Sequence, residues 1–89
     1  MNTYSYPIDV AWSTAETIAV IEFLQKIELA YEKGLPVTEL ELAYKAFKMV
    51  IKSIGEEKKI GAEFEKESGY SIYKTIKEMK ETPRSIVKM

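Results

Sequence analysis

The segment VTELELAYKAFKMVIKSI, residues 37–54, carries the clearest local signal in the chain. Thr38 and Glu41 have the spacing of a capping box, in which a hydroxyl and a carboxylate each bind a backbone N–H group at the start of a helix. Apolar residues then recur at steps of three and four, the pattern of one buried helix face: Leu40, Ala43, Tyr44, Phe47, Val50, Ile51 and Ile54. The segment predicts an amphipathic helix over residues 38–54.

A second amphipathic pattern precedes this segment. Ser13 and Glu16 have the capping-box spacing again, and a stripe of the same period follows them: Thr17, Val20, Leu24, Ile27 and Tyr31. Gly34 is able to adopt the positive φ that commonly ends a helix. We therefore predict a helix over residues 13–33. The short connection that follows makes the two long helices an antiparallel hairpin.

The third predicted helix covers residues 56–67, with Ser53 and Glu56 as its capping pair. Its apolar content is limited to Ile60 and Phe64, which lie one turn apart. We expect this helix to pack by a narrow edge, because an apolar stripe this thin covers little of the core.

A fourth helix is predicted over residues 71–82. Ser68 and Gly69 interrupt the preceding helix, and Pro83 marks the end of this one, since the residue before a proline is disfavoured in the helical conformation. The tail, residues 84–89, either continues a helix or packs loosely at the terminus.

Residues 1–12 form a predicted N-terminal arm. Apolar residues occupy the even positions, which is the period of an extended segment with one buried face: Tyr4, Tyr6, Ile8, Val10 and Trp12. No other segment has the pattern of a strand. We therefore expect the arm to lie over the helices rather than within a sheet, or to be exchanged with a second copy.

These elements predict an all-α fold: about four helices in an irregular bundle, made of an antiparallel hairpin of two long helices, two shorter helices and the extended arm. The 89 residues fit a single domain, because neither half alone would bury a core. The chain has no cysteine and no apolar run near the roughly 18 residues that span a membrane. We expect a cytoplasmic protein that does not bind membranes.

The residue types present limit the chemistry. The sequence contains no histidine and no cysteine, which removes the commonest general base, the thiol nucleophile and most transition-metal ligand sets. It also lacks a glycine-rich phosphate-binding motif. The glutamates of residues 56–67 are typical of a solvated helix face. We predict that the protein is not an enzyme and that it has no catalytic residue, no cofactor and no metal site.

After these exclusions, the aromatic residues are the most distinctive feature of the sequence. Tyrosine and tryptophan combine an apolar body with a polar tip, which suits a partner surface as well as the edge of a core. Packing in the core and the arm is therefore one interpretation, and a protein-contact surface is the other. The candidate contact residues are Tyr4, Tyr6, Trp12, Tyr70 and Tyr73.

Charge is distributed unevenly along the chain. Residues 1–44 carry two bases against seven acids, whereas residues 45–89 carry eleven bases against seven acids. A basic series runs through the C-terminal part: Lys74, Lys77, Lys80, Arg84 and Lys88. It is interpreted as a solvated face, a surface for an acidic protein or a nucleic acid contact. Nucleic acid is disfavoured because the sequence pI is about 5.5.

The order of several short segments resembles the YktA-like family, a small uncharacterised protein family of Gram-positive bacteria. The resemblance rests on segments that span nearly the whole chain: Tyr6-Pro7-Ile8-Asp9, Trp12-Ser13-Thr14, Ala43-Tyr44-Lys45-Ala46-Phe47-Lys48, Glu56-Glu57-Lys58, Glu63-Phe64-Glu65 and Ser68-Gly69-Tyr70-Ser71-Ile72-Tyr73. It implies an all-helical domain of about four helices in an irregular array, and it supplies no catalytic residues.

The favoured function is that of a protein-binding or regulatory module without catalysis. The alternative is a structural protein that associates with itself into a homo-oligomer, which the small size and the arm suggest. A remote alternative is weak nucleic acid binding through the C-terminal basic series.

Overall fold

The computed structural model describes residues 6–81 and 85–89, and this part of the chain is all-α apart from one pair of two-residue strands. Its helices are α1 (Thr14–Glu32), α2 (Val37–Val50), α3 (Ile54–Ser68) and α4 (Ile72–Glu81). The strands are β1 (Leu35–Pro36), between α1 and α2, and β2 (Ile86–Val87), after α4. The predicted fold class of about four helices is confirmed.

The start and the end of α1 follow the sequence signals. Ser13 Oγ accepts a hydrogen bond from the Glu16 N–H at 3.1 Å, and the Glu16 carboxylate accepts one from the Ser13 N–H at 2.8 Å. This is the predicted capping box. At the other end, Gly34 adopts a φ of +88° and donates its N–H to the carbonyl of Leu29. Such a left-handed residue satisfies a carbonyl group that the last turn leaves open.

The predicted capping box of α2 is wrong. The helix begins at Val37, and Pro36 stands at the N-cap position without a side-chain hydrogen bond. The N–H of Val37 instead donates to the carbonyl of Ser85, at 2.7 Å. A distant backbone carbonyl, rather than a local capping side chain, therefore satisfies the first N–H of α2, because helix ends accept any suitably placed partner.

The end of α2 also differs from the prediction of residue 54. The helix stops at Val50, and Ile51 is extended and fully buried. Ser53 then caps α3, since its Oγ accepts the Glu56 N–H at 3.0 Å. The cap starts α3 at Ile54, so Ile54 lies in the first turn of α3 and is mostly exposed. The amphipathic pattern continues through Ile54 and predicts one unbroken helix. The cap at Ser53 nevertheless decides where α2 gives way to α3.

The C-terminal tail forms a strand that the sequence did not predict. Leu35 pairs with Val87 and Pro36 with Ile86 in antiparallel register, and the Met89 N–H donates to the carbonyl of Ala30. Val87 is fully buried. The expectation that no segment besides the arm resembles a strand is therefore wrong. A two-residue strand is too short to show the period of two on which that expectation relied.

The core lies between α1 and α2, which share the most extensive helix interface, and it continues to one side of α4. Phe23 packs on Phe47 with ring centroids 4.4 Å apart. Helix α3 contributes two buried side chains, Ile60 and Phe64, as its thin stripe predicts. The buried apolar residues are Val20, Phe23, Leu24, Ile27, Ala30, Leu35, Leu40, Phe47, Ile51, Ile60, Phe64, Ile72, Ile76, Met79 and Val87.

The arm is only partly as predicted within the described residues. Tyr6 and Trp12 pack against the core, but Ile8 is exposed and Val10 fully so. The reason is a turn: the side chain of Asp9 accepts the Ala11 N–H at 2.8 Å, and its carbonyl accepts the Trp12 N–H at 3.1 Å. An aspartate that binds the backbone in this way favours a turn over continued extended chain.

We expect Gly34→Ala to lower the free energy of unfolding by about 1–2 kcal/mol, which is the cost of a side chain in the left-handed region. A Cβ at Gly34 would also stand 3.3 Å from the carbonyl oxygen of Val87. The control is Gly61→Ala, where a Cβ meets nothing within 4 Å and alanine should stabilise the helix by up to about 1 kcal/mol. Urea unfolding measures both. Equal stabilities for the two variants would contradict the role of the Gly34 turn.

Candidate binding groove

A groove of about 660 Å³ lies between α3 and α4, with Tyr44 of α2 at its edge. It exists because α3 and α4 share only a small interface. Two nearly buried side chains of α4, Ile72 and Ile76, contribute to the lining. The opposite wall belongs to α3, where Gly61 and Ala62 present little side-chain volume. The helices therefore leave an apolar depression open to solvent.

Two large apolar side chains stand exposed in this groove. Ile54, in the first turn of α3, is 69% exposed, and Tyr73, in the first turn of α4, is 75% exposed. Single exposed apolar residues are ordinary on protein surfaces, but several around one depression are typical of a binding site. Tyr73 also brings a hydroxyl group that is able to donate or accept a hydrogen bond.

A hydrogen-bonded cluster closes one side of the groove. The carboxylate of Glu57 accepts the hydroxyl of Tyr44 at 3.2 Å and binds the ammonium group of Lys48 through its other oxygen. The Lys80 ammonium lies 5.9 Å from the centroid of the Tyr44 ring, within the range of a cation–π contact. These contacts join α2, α3 and α4 at the groove.

The cluster shifts two pKa values upward. Burial away from water is the main cause that raises the pKa of Tyr44, and the negative charge of Glu57 adds to it. The hydrogen bond to Glu57 raises the pKa of Lys48. Both groups therefore stay protonated at neutral pH. A general base must be able to accept a proton near the working pH, so the shifts run against that role for either residue.

The predicted contact residues do not share one surface. Tyr73 lines the groove, whereas Tyr6 lies beside Glu63 and Lys66 in a smaller depression. Tyr70 stacks on Tyr31 with centroids 4.5 Å apart. Trp12 is partly buried against the core, and Tyr4 lies outside the described residues.

Tyr6 and Tyr70 are both bound to carboxylates of α1. The Tyr6 hydroxyl donates to Glu28 at 2.8 Å, and the Tyr70 hydroxyl donates to Glu32 at 2.9 Å. Burial raises the pKa of Tyr6, and the hydrogen bond to Glu32 raises that of Tyr70. These contacts attach the arm and the α3–α4 connection to one edge of α1, as the packing interpretation of the aromatic residues expects.

Sequence reasoning missed the contributions of Ile54 and Tyr44 to the groove. Both belong to the apolar stripe that predicted a helix through residue 54, so both were assigned to the core. One signal in the sequence could have indicated the groove. Gly61 and Ala62 are small residues in a helix with few apolar side chains, and small side chains leave space beside the helix.

The basic series is divided by the fold. Lys77 and Lys80 line the groove, Lys74 and Lys88 are exposed, and Arg84 lies outside the described residues.

Within residues 6–81 and 85–89, no group of three or more acidic, histidine or cysteine side chains is arranged to hold a metal ion. No helix in this part of the chain is both long and apolar enough to cross a bilayer.

Comparison with known proteins assigns the chain to a family. A model described as "Uncharacterised protein family (UPF0223)" matches residues 3–88. The chain belongs to the UPF0223 family. A UPF0223 protein of Bacillus pumilus is 54% identical over 84 residues, which cover 94% of each chain. One of Listeria monocytogenes is 50% identical over 86 residues, covering 97% of this chain and 96% of the relative.

A third relative, the UPF0223 protein of Enterococcus faecalis, is 48% identical over 80 residues, covering 90% of this chain and 87% of its own length. The three organisms are Gram-positive bacteria. The resemblance that the sequence suggested, to a small uncharacterised family of such bacteria, is confirmed.

We expect Glu57→Gln to lower the free energy of unfolding at pH 7 by up to about 1 kcal/mol, the usual scale of a partly exposed ion pair. A lysine whose pKa is raised on folding stabilises the fold below its unfolded pKa, near 10.5, and loses that contribution as the pH rises through the folded pKa. The loss caused by Glu57→Gln should therefore shrink as the pH rises above 10.5 and through the folded pKa of Lys48.

The control for this experiment is Glu63→Gln, an exposed glutamate on the same helix, measured by urea unfolding at pH 7 and above pH 10.5. A cost for Glu57→Gln that equals the control at pH 7, or that does not change with pH, would contradict the assigned role of the Lys48–Glu57 pair.

Proposed function

We propose that this UPF0223 protein is a cytoplasmic binding module that acts without catalysis, and that its groove between α3 and α4 takes a segment of another protein. The main observation in support of this proposal is that Ile54 and Tyr73 are exposed around an apolar depression lined by Ile72 and Ile76. Grooves between helices commonly receive an apolar side of a partner segment. The absence of cysteine from the sequence agrees with a reducing compartment.

The shape of the groove favours a protein segment over a small molecule. Small-molecule sites usually enclose about 70–90% of their ligand. This groove opens to solvent between two helices, so a small ligand would keep part of its surface in water. A chain segment that lies along α3 and α4 would instead use the exposed side chains at the rim as contacts.

Charge indicates the chemistry of the segment. Three lysines line the groove, Lys58, Lys77 and Lys80, together with three glutamates. One of those glutamates, Glu57, is already bound by Lys48 of α2. Positive charge is therefore in excess at the rim, and the occupant that fits is a segment with a large apolar or aromatic residue flanked by aspartate or glutamate.

Peptide display against the purified protein tests this function. We expect a random library to yield peptides that combine a large apolar residue with acidic neighbours. Their affinity should fall at least about ten-fold, or 1.4 kcal/mol, in Tyr73→Ala and in Ile54→Ala. Both positions are exposed, so circular dichroism should show unchanged helicity. Fluorescence anisotropy with a labelled selected peptide measures the affinities.

The matched control is Val10→Ala, which truncates a fully exposed apolar residue outside the groove and should leave the affinity unchanged. The proposal fails if no peptide is enriched over a mock selection. It also fails if the selected peptides bind Tyr73→Ala and Ile54→Ala as tightly as they bind Val10→Ala.

A further inference from the structure

The side of α4 that lines the groove changes from apolar to basic along the helix. Ile72, Ile76 and Lys80 are four residues apart, so they follow one another on one side of α4 at intervals of about 6 Å. The two isoleucines are nearly buried, whereas Lys80 is exposed. A segment bound in the groove would therefore meet an apolar surface first and an ammonium group one helical turn further along.

Lys80 is held in place by the ring of Tyr44. Its Nζ lies 5.9 Å from the ring centroid, within the range of a cation–π contact. The ring is fixed in turn, because it packs beside Phe23 and its hydroxyl donates to the carboxylate of Glu57 at 3.2 Å. A lysine ammonium group has three N–H donors, so the side turned away from the ring is still able to bind a carboxylate.

The acidic residues near Lys80 already have basic neighbours. Glu57 binds the ammonium group of Lys48, which is not part of the groove lining. Glu81 lies one turn after Lys77 on α4, so these two charges offset each other. Within the described part of the chain, Lys80 forms no ion pair of its own. Its charge is therefore available to an occupant of the groove.

The other lysines of the groove lack this restraint. Lys58 and Lys77 also line it, but among the described residues no aromatic ring lies beneath either ammonium group. A flexible side chain loses entropy when it binds an anion, and the contact with the ring means that Lys80 has lost part of it already. The remaining acid of the lining, Glu65, lies eight residues after Glu57, or about 12 Å along α3.

We propose that Lys80 binds the aspartate or glutamate side chain of the partner segment, and that Tyr44 positions Lys80 for this contact. The large apolar residue of the segment packs on Ile72 and Ile76. The step from Ile76 to Lys80 sets the acidic residue about 6 Å from the apolar one, which is two residues along an extended segment or four along a helical one. This inference rests on the proposed function of the groove and adds the residue that recognises the acid.

A double-mutant cycle between the protein and a selected peptide tests the contact. The peptide comes from the display experiment and has an amidated C-terminus, so that only side chains supply carboxylates. Its analogue carries asparagine or glutamine in place of the acidic residue. We expect the wild-type chain to bind the acidic peptide at least about ten-fold more tightly than the analogue. Lys80→Gln should bind both peptides with equal affinity in fluorescence anisotropy.

The matched control is Lys77→Gln, which removes a lysine from the same helix and the same groove and should keep the ten-fold preference. Equal preference in Lys80→Gln and Lys77→Gln, or selected peptides without the expected spacing, would overturn this inference. The proposed function would still stand if those peptides lost affinity in Tyr73→Ala and Ile54→Ala. If no peptide binds at the groove, both proposals fail.

Two substitutions of Tyr44 test its positioning role. Tyr44→Phe keeps the ring beside Lys80 and should keep the preference for the acidic peptide. Tyr44→Leu keeps an apolar side chain at this half-buried position but removes the ring, and should reduce the preference about two- to five-fold. A purely structural role would weaken both peptides alike and leave their ratio unchanged. An unchanged ratio in Tyr44→Leu would therefore overturn the role of the ring.

Discussion

The contact between Phe23 of α1 and Phe47 of α2 is the interaction on which the rest of the structure depends. The two rings lie 4.4 Å apart and are fully buried, and Tyr44 flanks them at 5.6 Å from Phe23. Removing one buried phenylalanine side chain usually costs about 3–5 kcal/mol, a large share of the stability of a small domain. The contact fixes how α1 and α2 cross, and the surfaces that receive α4 and the C-terminal strand follow from it.

The way in which the helices share the core also explains why the groove exists. Counting the partly buried residues as well, α1 and α2 supply 13 of the 24 described apolar side chains of the core, while α3 supplies only Ile60 and Phe64. A helix that buries only two side chains covers little of its neighbour. Helices α3 and α4 therefore diverge and leave the groove between them. Tyr44 connects the two regions, because its ring packs beside Phe23 while its hydroxyl binds Glu57 at the edge of the groove.

The sequence predicts what depends on local pattern and misses what depends on distant partners. The helical fold, the Ser13 cap, the Gly34 turn and the narrow edge of α3 all follow from spacing within a few residues. The start of α2 could not be predicted in this way, since its first N–H group is satisfied by a carbonyl 48 residues further along the chain. Among the predicted contact residues that the structure describes, only Tyr73 lines the groove, because Tyr6 and Tyr70 bind acids of α1 that no local pattern relates to them.

Native-state hydrogen exchange, followed by NMR, tests most directly whether the α1–α2 hairpin is the stable unit to which α3 is attached by a narrow edge. Local opening exposes amides of weakly packed elements before global unfolding does. The slowest amides should lie in α1 and α2 around Leu24, Ile27 and Phe47, and those of α3 should exchange at least about ten-fold faster, a difference of 1.4 kcal/mol in opening free energy. Protection of α3 equal to that of α1 would contradict this account of the fold and of the groove.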